Sequence, residues 1–303
     1  MNIVINLNKP ENISSQQAVL RVKKLFSAKK AGHAGTLDPI ATGVLLVCLN
    51  EATKITRFLS DLEKEYHVRL KLGERTDTFD STGRTLETRD FQAVGEKDLH
   101  RILKSFQGNI EQTPPMFSAV KVGGKPLYKL ARKGISIDRP ARSVHISSIS
   151  LTGFTLPYVE LRVGCSKGTY IRTLCDDIGN ALGTGAHMVA LQRTKTGRFR
   201  LEDSVPMGDL LHTDRAFLSM DDALSHLGEI VLTEESFRKA RNGVSFPLTT
   251  DSYSFLRWEE EGREYSTNGY VRLKTPDKRL FGIGKIENGT VKIERLLDSS
   301  VIT

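Results

Sequence analysis

Strand-like and helix-like segments do not alternate strictly along this 303-residue chain, and that order constrains the fold more than any single motif. Strict alternation builds a doubly wound parallel sheet; its absence predicts an α+β chain with a mixed, largely antiparallel sheet flanked by helices. Residues 3 to 8 read as a strand ending at Lys9-Pro10. Ser14 with Gln17 three residues on is a capping-box pattern, and Ala18, Val19, Val22, Leu25 and Phe26 then fall on one helical face. The apolar run Val44 to Leu49 is short enough to be a buried strand. In KEYHVRLKLG, Tyr66, Val68, Leu70 and Leu72 alternate with polar residues at the period of a half-buried strand. Further helices are expected over residues 52 to 62, 96 to 106 and 169 to 182, the last ending at Gly183, with strands near 144 to 151 and 158 to 165. Residues 198 to 228 read as a connection with one short helix. Beyond it, TEESFRKARNG predicts a helix closed by Gly243, and Asn288-Gly289 between alternating apolar runs predicts a hairpin. The C-terminal quarter is therefore a small β-rich unit.

Charge is unevenly spread. The net charge is +8, yet residues 229 to 303 carry 12 basic and 12 acidic side chains, so the excess lies in residues 1 to 228. The stretch Ala119 to His145 holds Lys121, Lys125, Lys129, Arg132, Lys133, Arg139 and Arg142 against Asp138 alone. It falls within a segment rich in Gly, Pro and Lys, about 114 to 142, that shows no period. Long loops of this kind in compact domains are functional or disordered. A basic concentration suits a polyanionic backbone, and it equally suits a solvated loop. No run approaches a membrane span, and MNIVINLNKPEN reads as the start of a strand, not a signal peptide. Cys48, Cys165 and Cys175 are widely spaced, with neither a disulfide framework nor a zinc pattern. These features point to the cytoplasm and to no metal.

The chemistry-bearing segment is Gly32-His33-Ala34-Gly35-Thr36-Leu37-Asp38-Pro39, an acid in a turn with two glycines just ahead of a buried strand. Glycine permits positive φ and close backbone approach, and Pro39 pushes Asp38 toward an extended conformation. From the residues alone Asp38 is either a presented acid or a turn cap, and the cap is the commoner role. His33 and Tyr66 have the same ambiguity. Arg172 sits at the start of a helix, where a cation opposes the macrodipole, which hints at a partner anion.

GHAGTLDPIATGVL, KEYHVRLKLGERTDT, PPMFSAVKVGGKPLYKLAR and GTYIRTLCDDIG follow one another in that order, and together they resemble the bacterial tRNA pseudouridine synthase B family. The likeness runs from Asn8-Lys9-Pro10 to about Arg193 and resumes more weakly in RNGVSF and FGIGKIENGTVKIERLL. Where the family often has Gly, Asn12 stands, a residue that tolerates positive φ better than most.

The resemblance implies a pseudouridine synthase catalytic domain over 1–228, with an RNA-binding loop insertion at about 114–142, and a PUA-like RNA-binding domain over 229–303. It implies Asp38, Tyr66 and Arg172 as catalytic residues: the carboxylate, the tyrosine against the target base, and the arginine that pairs with the carboxylate. It implies His33, Tyr66, Tyr170, Leu191 and Lys9 as substrate-binding residues, with His33 entering the space left by the flipped nucleotide. The implied substrate is a uridine in the tRNA T stem-loop, isomerised by base flipping, glycosidic cleavage and rejoining at C5. An isomerisation needs no cofactor, and no obligatory protein partner is implied, so a monomer is expected. Two readings rank lower: a relative that works on a guide RNA in a multi-protein particle, and an RNA-binding or tRNA-folding protein with catalysis secondary. Because the C-terminal quarter is electrically neutral, its expected contribution is a modest, shape-based grip on tRNA, separable from the chemistry.

Overall fold

In a computed structural model of the chain, residues 1–118, 120–131, 133–135, 137–213, 215–257 and 269–297 are described. Ala119 and Arg132 of the basic stretch lie outside the described residues. The chain opens with β1 (Ile3–Lys9), α1 (Ser15–Leu25), β2 (Ala31–His33), β3 (Thr42–Leu49), α2 (Thr56–Ser60) and β4 (Lys64–Leu72). It continues through β5 (Glu74–Thr76), β6 (Thr85–Thr88), α3 (Glu96–Ser105), β7 (Gly108–Gln112), β8 (Lys121–Val122), β9 (Lys125–Pro126) and α4 (Leu127–Ala131). Then come β10 (Arg142–Thr155), β11 (Tyr158–Cys165), α5 (Ile171–Ala181), β12 (Ala186–Thr196), β13 (Phe199–Arg200), β14 (Val205–Pro206), β15 (Phe217–Ser219) and α6 (Met220–Ala223). The last group is β16 (Gly228–Leu232), α7 (Glu234–Arg241), β17 (Phe246–Pro247), β18 (Tyr253–Arg257), β19 (Gly269–Lys274), β20 (Leu280–Glu287) and β21 (Thr290–Leu296).

The strands form an eleven-stranded sheet with the central order β14-β1-β3-β12-β4-β11-β10-β7, and a six-stranded sheet ordered β17-β21-β20-β19-β16-β18. Among the described residues of the large sheet only β1–β14 and β3–β12 pair in parallel, so it is mixed and largely antiparallel, as the order of segments predicts.

Period explains which face each residue takes. In β3 every residue from Gly43 onward is buried. Leu45, Val47 and Leu49 enter the core beneath α1, α3 and α5, whereas Val44, Leu46 and Cys48 enter a second core on the opposite face. A continuous apolar run is the signature of a strand covered on both sides. The expected alternation in β4 also holds, with Tyr66, Val68, Leu70 and Leu72 buried. The Ser14 capping box forms in both directions: the Gln17 amide donates to Ser14 Oγ at 3.2 Å and the Ser14 amide to Gln17 Oε1 at 2.8 Å. Asn12 adopts φ +65°. The C-terminal hairpin turns at Asn288 (φ +50°) and Gly289 (φ +70°), the pair of left-handed residues that a two-residue hairpin requires.

Two expectations need correction. Residues 198 to 228 are more than a connection: β13 pairs with β12, and β14 and β15 both pair with β1. Strands of two or three residues are too short to show a period. The insertion after Pro114 is not structureless either. It folds a tiny β8–β9 hairpin over Gly123-Gly124 and the single-turn α4, whose Leu127 is fully buried. Among the described residues no helix is long and apolar enough to cross a membrane.

Candidate active site

Asp38 lies in the connection between β2 and β3, and three side chains and one backbone amide pin that connection. Ser15 Oγ accepts from the Leu37 amide at 2.7 Å and donates to the Leu37 carbonyl at 3.0 Å. Arg193, on β12, donates from Nη2 to the Gly35 carbonyl at 3.1 Å and from Nε to the Val44 carbonyl at 2.6 Å. Lys9 Nζ donates to the carbonyls of Pro10 and Ile13 at 2.8 Å and of Pro39 at 3.4 Å. The Asn12 amide adds a bond to the Pro39 carbonyl at 2.8 Å. Of the two glycines in the turn only Gly35 uses the left-handed region, at φ +101°. A rigid loop results, and Asp38 projects from it into a cavity of about 510 Å³.

That cavity is lined by Asp38, Tyr66, Asp80, Tyr170, Arg172 and Leu191 among others, with Phe117, Ser118 and Tyr128 of the insertion along one side. Tyr66 and Leu191 come from the adjacent antiparallel strands β4 and β12. Tyr170 is the N-cap of α5 and Arg172 lies in that helix's first turn. The anion that Arg172 calls for is double. Its Nη2 is 3.2 Å from Asp38 Oδ1, and its Nη1 is 3.6 Å from Asp80 Oδ2. Nη2 also donates to the Phe117 carbonyl at 2.7 Å. Asp80 is held in turn, its Oδ1 accepting from the Thr78 and Thr82 hydroxyls and the Thr82 amide at 2.8, 2.6 and 3.0 Å.

Electrostatics follow from this packing. Burial pushes the Asp38 carboxyl above its ordinary value; Arg172 draws it back down, Asp80 raises it, and Lys9 lowers it. Its side chain keeps 29% of its surface open to the cavity, so a substrate can reach it. Burial also raises the Tyr66 phenol, which therefore stays protonated at neutral pH. Burial, then Arg193, pushes the His33 imidazole down and keeps it neutral. Such a cavity holds an ionisable carboxylate beside a fixed cation, an aromatic face and a hydroxyl donor, enough to grip one planar base.

Asp38, Tyr66, Tyr170, Arg172 and Leu191 thus share one cavity, and two other expected residues stand outside its lining. His33 lies on β2, with its buried Nδ1 bonded to none of the described residues. Lys9 is fully buried, its ammonium occupied by backbone carbonyls and its pKa pushed down to about 8 by burial. These bonds brace the Asp38 turn. Sequence reasoning missed Asp80, Arg193 and Phe117. Asp80 hides in the turn-like run TDTFDSTG, and Arg193 in QRTKT, which reads as a solvated strand face.

Comparison with known proteins identifies the family. Residues 23–171 match the model of the TruB family pseudouridylate synthase N-terminal domain. Residues 172–235 match the tRNA pseudouridylate synthase B C-terminal domain. The tRNA pseudouridine synthase B of Clostridium tetani is 47% identical over 299 residues, covering 98% of this chain and 100% of that one. The Haemophilus influenzae protein of the same name is 39% identical, covering 98% and 95%. Among solved structures, a chain of the archaeal box H/ACA sRNP Nop10-Cbf5 complex superposes with a TM-score of 0.72 at 26% identity, covering 98% of this chain and 86% of that one. A chain of a Cbf5-Nop10-Gar1 complex gives 0.75 at 28%, covering 98% and 85%. With two family models across most of its length and close relatives over nearly all of it, this chain belongs to the TruB family of pseudouridylate synthases.

Proposed function

We propose that this protein isomerises one uridine in the T loop of tRNA to pseudouridine, with Asp38 as the catalytic carboxylate. The observation that carries the reading is the Asp38–Arg172–Asp80 array at the wall of a base-sized cavity that Tyr66 also lines. The reaction breaks C1′–N1, turns the uracil, and joins C5 to C1′; C5 gives up its proton and N1 gains one. Every atom is retained, so neither donor nor oxidant enters. An ionised Asp38 serves this chemistry as a nucleophile toward C1′ or C6, or as a fixed negative charge beside the cationic ribose. Arg172 favours the ionised form. Tyr66 offers a face for the flipped base, offsetting part of an unstacking cost of about a few kcal/mol. His33, on the strand that leads into the Asp38 turn, fills the space the nucleotide vacates. Incubating the protein with an unmodified T stem-loop should yield pseudouridine at a single loop position. Absence of product from folded protein would remove the T loop as the target.

The insertion supplies phosphate contacts on this reading, and the six-stranded sheet grips tRNA away from the target loop as a PUA-like domain, in a protein that acts as a single chain in the cytoplasm. Three buried, unpaired cysteines fit a reducing compartment. Neutralising Lys121, Lys125 and Lys129 together should weaken tRNA binding and flatten its salt dependence. Each phosphate that is no longer neutralised should lower the log–log slope by about 0.7–0.9. An unchanged slope in binding titrations across salt would leave this stretch as a solvated surface only.

A further inference from the structure

The insertion leaves the large sheet and rejoins it at a single rung, where Gln112, the last residue of β7, pairs with Arg142, the first of β10. The Gln112 side chain is 2% exposed and is not part of the cavity lining. Both ends of its amide bond to the backbone of one residue. The Tyr170 amide donates to Gln112 Oε1 at 2.7 Å, and Gln112 Nε2 donates to the Tyr170 carbonyl at 3.1 Å. Tyr170 is the N-cap of α5, a position whose own side chain makes no capping bond, and its carbonyl also accepts from the Leu174 amide at 3.0 Å. Two residues on, Arg172 Nη2 donates to the Phe117 carbonyl at 2.7 Å. The root of the insertion and its first turn therefore hold alternate residues at the start of α5, between Asp38 and the insertion.

We propose that Gln112 is a positioning residue, tying the root of the insertion to the Tyr170 backbone so that the Arg172 guanidinium is held against Asp38 during isomerisation. This rests on the roles of Asp38 and Arg172 proposed above. The Arg172–Asp38 contact is 3.2 Å, at the far end of the hydrogen-bonding range. A small shift of the helix start breaks it. Glutamine suits the position because it supplies a donor and an acceptor side by side at that reach. Methionine matches its length and supplies neither, leaving the partly buried Tyr170 amide without that acceptor. Glutamate, when ionised, keeps the acceptor and loses the donor.

Wild type, Gln112→Met and Asp38→Asn are compared on the T stem-loop and on full-length tRNA, with kcat, KM, the pH dependence of kcat, and thermal melting. A misplaced guanidinium should lower kcat of Gln112→Met by about ten- to a hundredfold while KM stays within about twofold. The acid limb of its pH profile should also move to higher pH. The charged groups facing Asp38 are Arg172 from α5, Asp80 from the segment after β5, and Lys9 from β1. Only the first is loosened, so the stronger of the two cations that favour the carboxylate weakens while Lys9 and Asp80 stay. If Gln112→Met does not fold, Gln112→Glu replaces it and is read on kcat against KM alone, because an added carboxylate would itself raise a neighbouring carboxyl. A wild-type kcat and acid limb, or a loss confined to KM or melting temperature, would overturn the role of Gln112 while an inactive Asp38→Asn leaves the site intact. An active Asp38→Asn would overturn the reading of the site and this inference with it.

Discussion

Asp38→Asn should leave a folded protein that still binds tRNA and makes no measurable pseudouridine. Asparagine keeps the shape of the side chain and removes its charge, so the turn pinned by Ser15, Lys9, Asn12 and Arg193 has no reason to move. Arg172 is not orphaned, because Asp80 and the Phe117 carbonyl remain within reach. What disappears is the more open of the two carboxylates that line the cavity with Tyr66: the Asp38 side chain is 29% exposed, that of Asp80 only 5%. Removing one preorganised electrostatic group costs about 10²–10³ in rate, and removing a nucleophile costs more, so a loss beyond about a thousandfold is expected. Product formation and tRNA affinity are measured on the same preparation; appreciable turnover would place the reacting carboxylate elsewhere. The wild-type pH profile carries a linked expectation. Activity needs the ionised form, and burial raises this carboxyl above a free aspartate. The rate is therefore full above the raised pKa and lost as pH falls through it, at a higher pH than a free aspartate would give. An acid limb at or below the free-aspartate value would mean that Arg172 outweighs burial.

Local rules place the parts of this site without giving them roles. Gly35 and Pro39 mark the Asp38 turn and the alternation of β4 places Tyr66, but from the residues alone the one also suits a turn cap and the other a core aromatic, and only the family resemblance singles them out. Arg172 at a helix start signals an anion by its conflict with the macrodipole, and the structure supplies Asp38 and Asp80. Tertiary pairings were not legible. Asp80 is more than forty residues from Asp38 in a run whose composition says turn and nothing more. Arg193 looks like one cation in a basic strand, yet it is 1% exposed and spends its bonds on the carbonyls beside Asp38. Lys9 is opaque for the same reason: its place in the sequence does not reveal that it is buried and donates to the carbonyls of Pro10, Ile13 and Pro39. The expected separability of the C-terminal quarter rests on its neutral charge and on the lack of matched catalytic residues in it. Neither is sensitive to shared apolar surface.

Truncation after Leu227 should destabilise the remaining domain, not merely weaken its hold on tRNA. The six-stranded sheet begins at Gly228, yet it does not keep a core to itself. Ile283 and Leu297, 0% and 1% exposed, belong to the same buried cluster as Val4, Leu46, Phe58 and Leu224 of the first region. Around that cluster Phe58 meets Tyr270 edge to face at 5.0 Å, and Arg57 bonds the Tyr270 hydroxyl and Glu294, both at 2.7 Å. Arg272 and Lys274 reach Asp221 on α6 at 2.9 and 2.8 Å. The exposed Arg57 pair contributes little on its own. Burial dominates: each large apolar side chain removed from such a cluster is worth about 1.5–3 kcal/mol, so losing two removes about 3–6 kcal/mol. That is a large part of a typical stability of about 5–15 kcal/mol. At about 2–4 °C per kcal/mol for a domain of this size, the melting temperature should fall by roughly 6–24 °C. The newly exposed Phe58 and Leu46 should make the truncated protein bind hydrophobic dyes and aggregate. Where it stays folded at low temperature, kcat on a minimal T stem-loop should survive, because no cavity-lining residue lies beyond Leu227. On full-length tRNA KM should rise, the mark of lost uniform binding. Melting curves and steady-state kinetics of both lengths decide the matter: an unchanged melting temperature would show that the shared cluster contributes nothing. A collapse of kcat on the short substrate at a temperature where the fold is intact would show that the C-terminal sheet shapes the cavity itself.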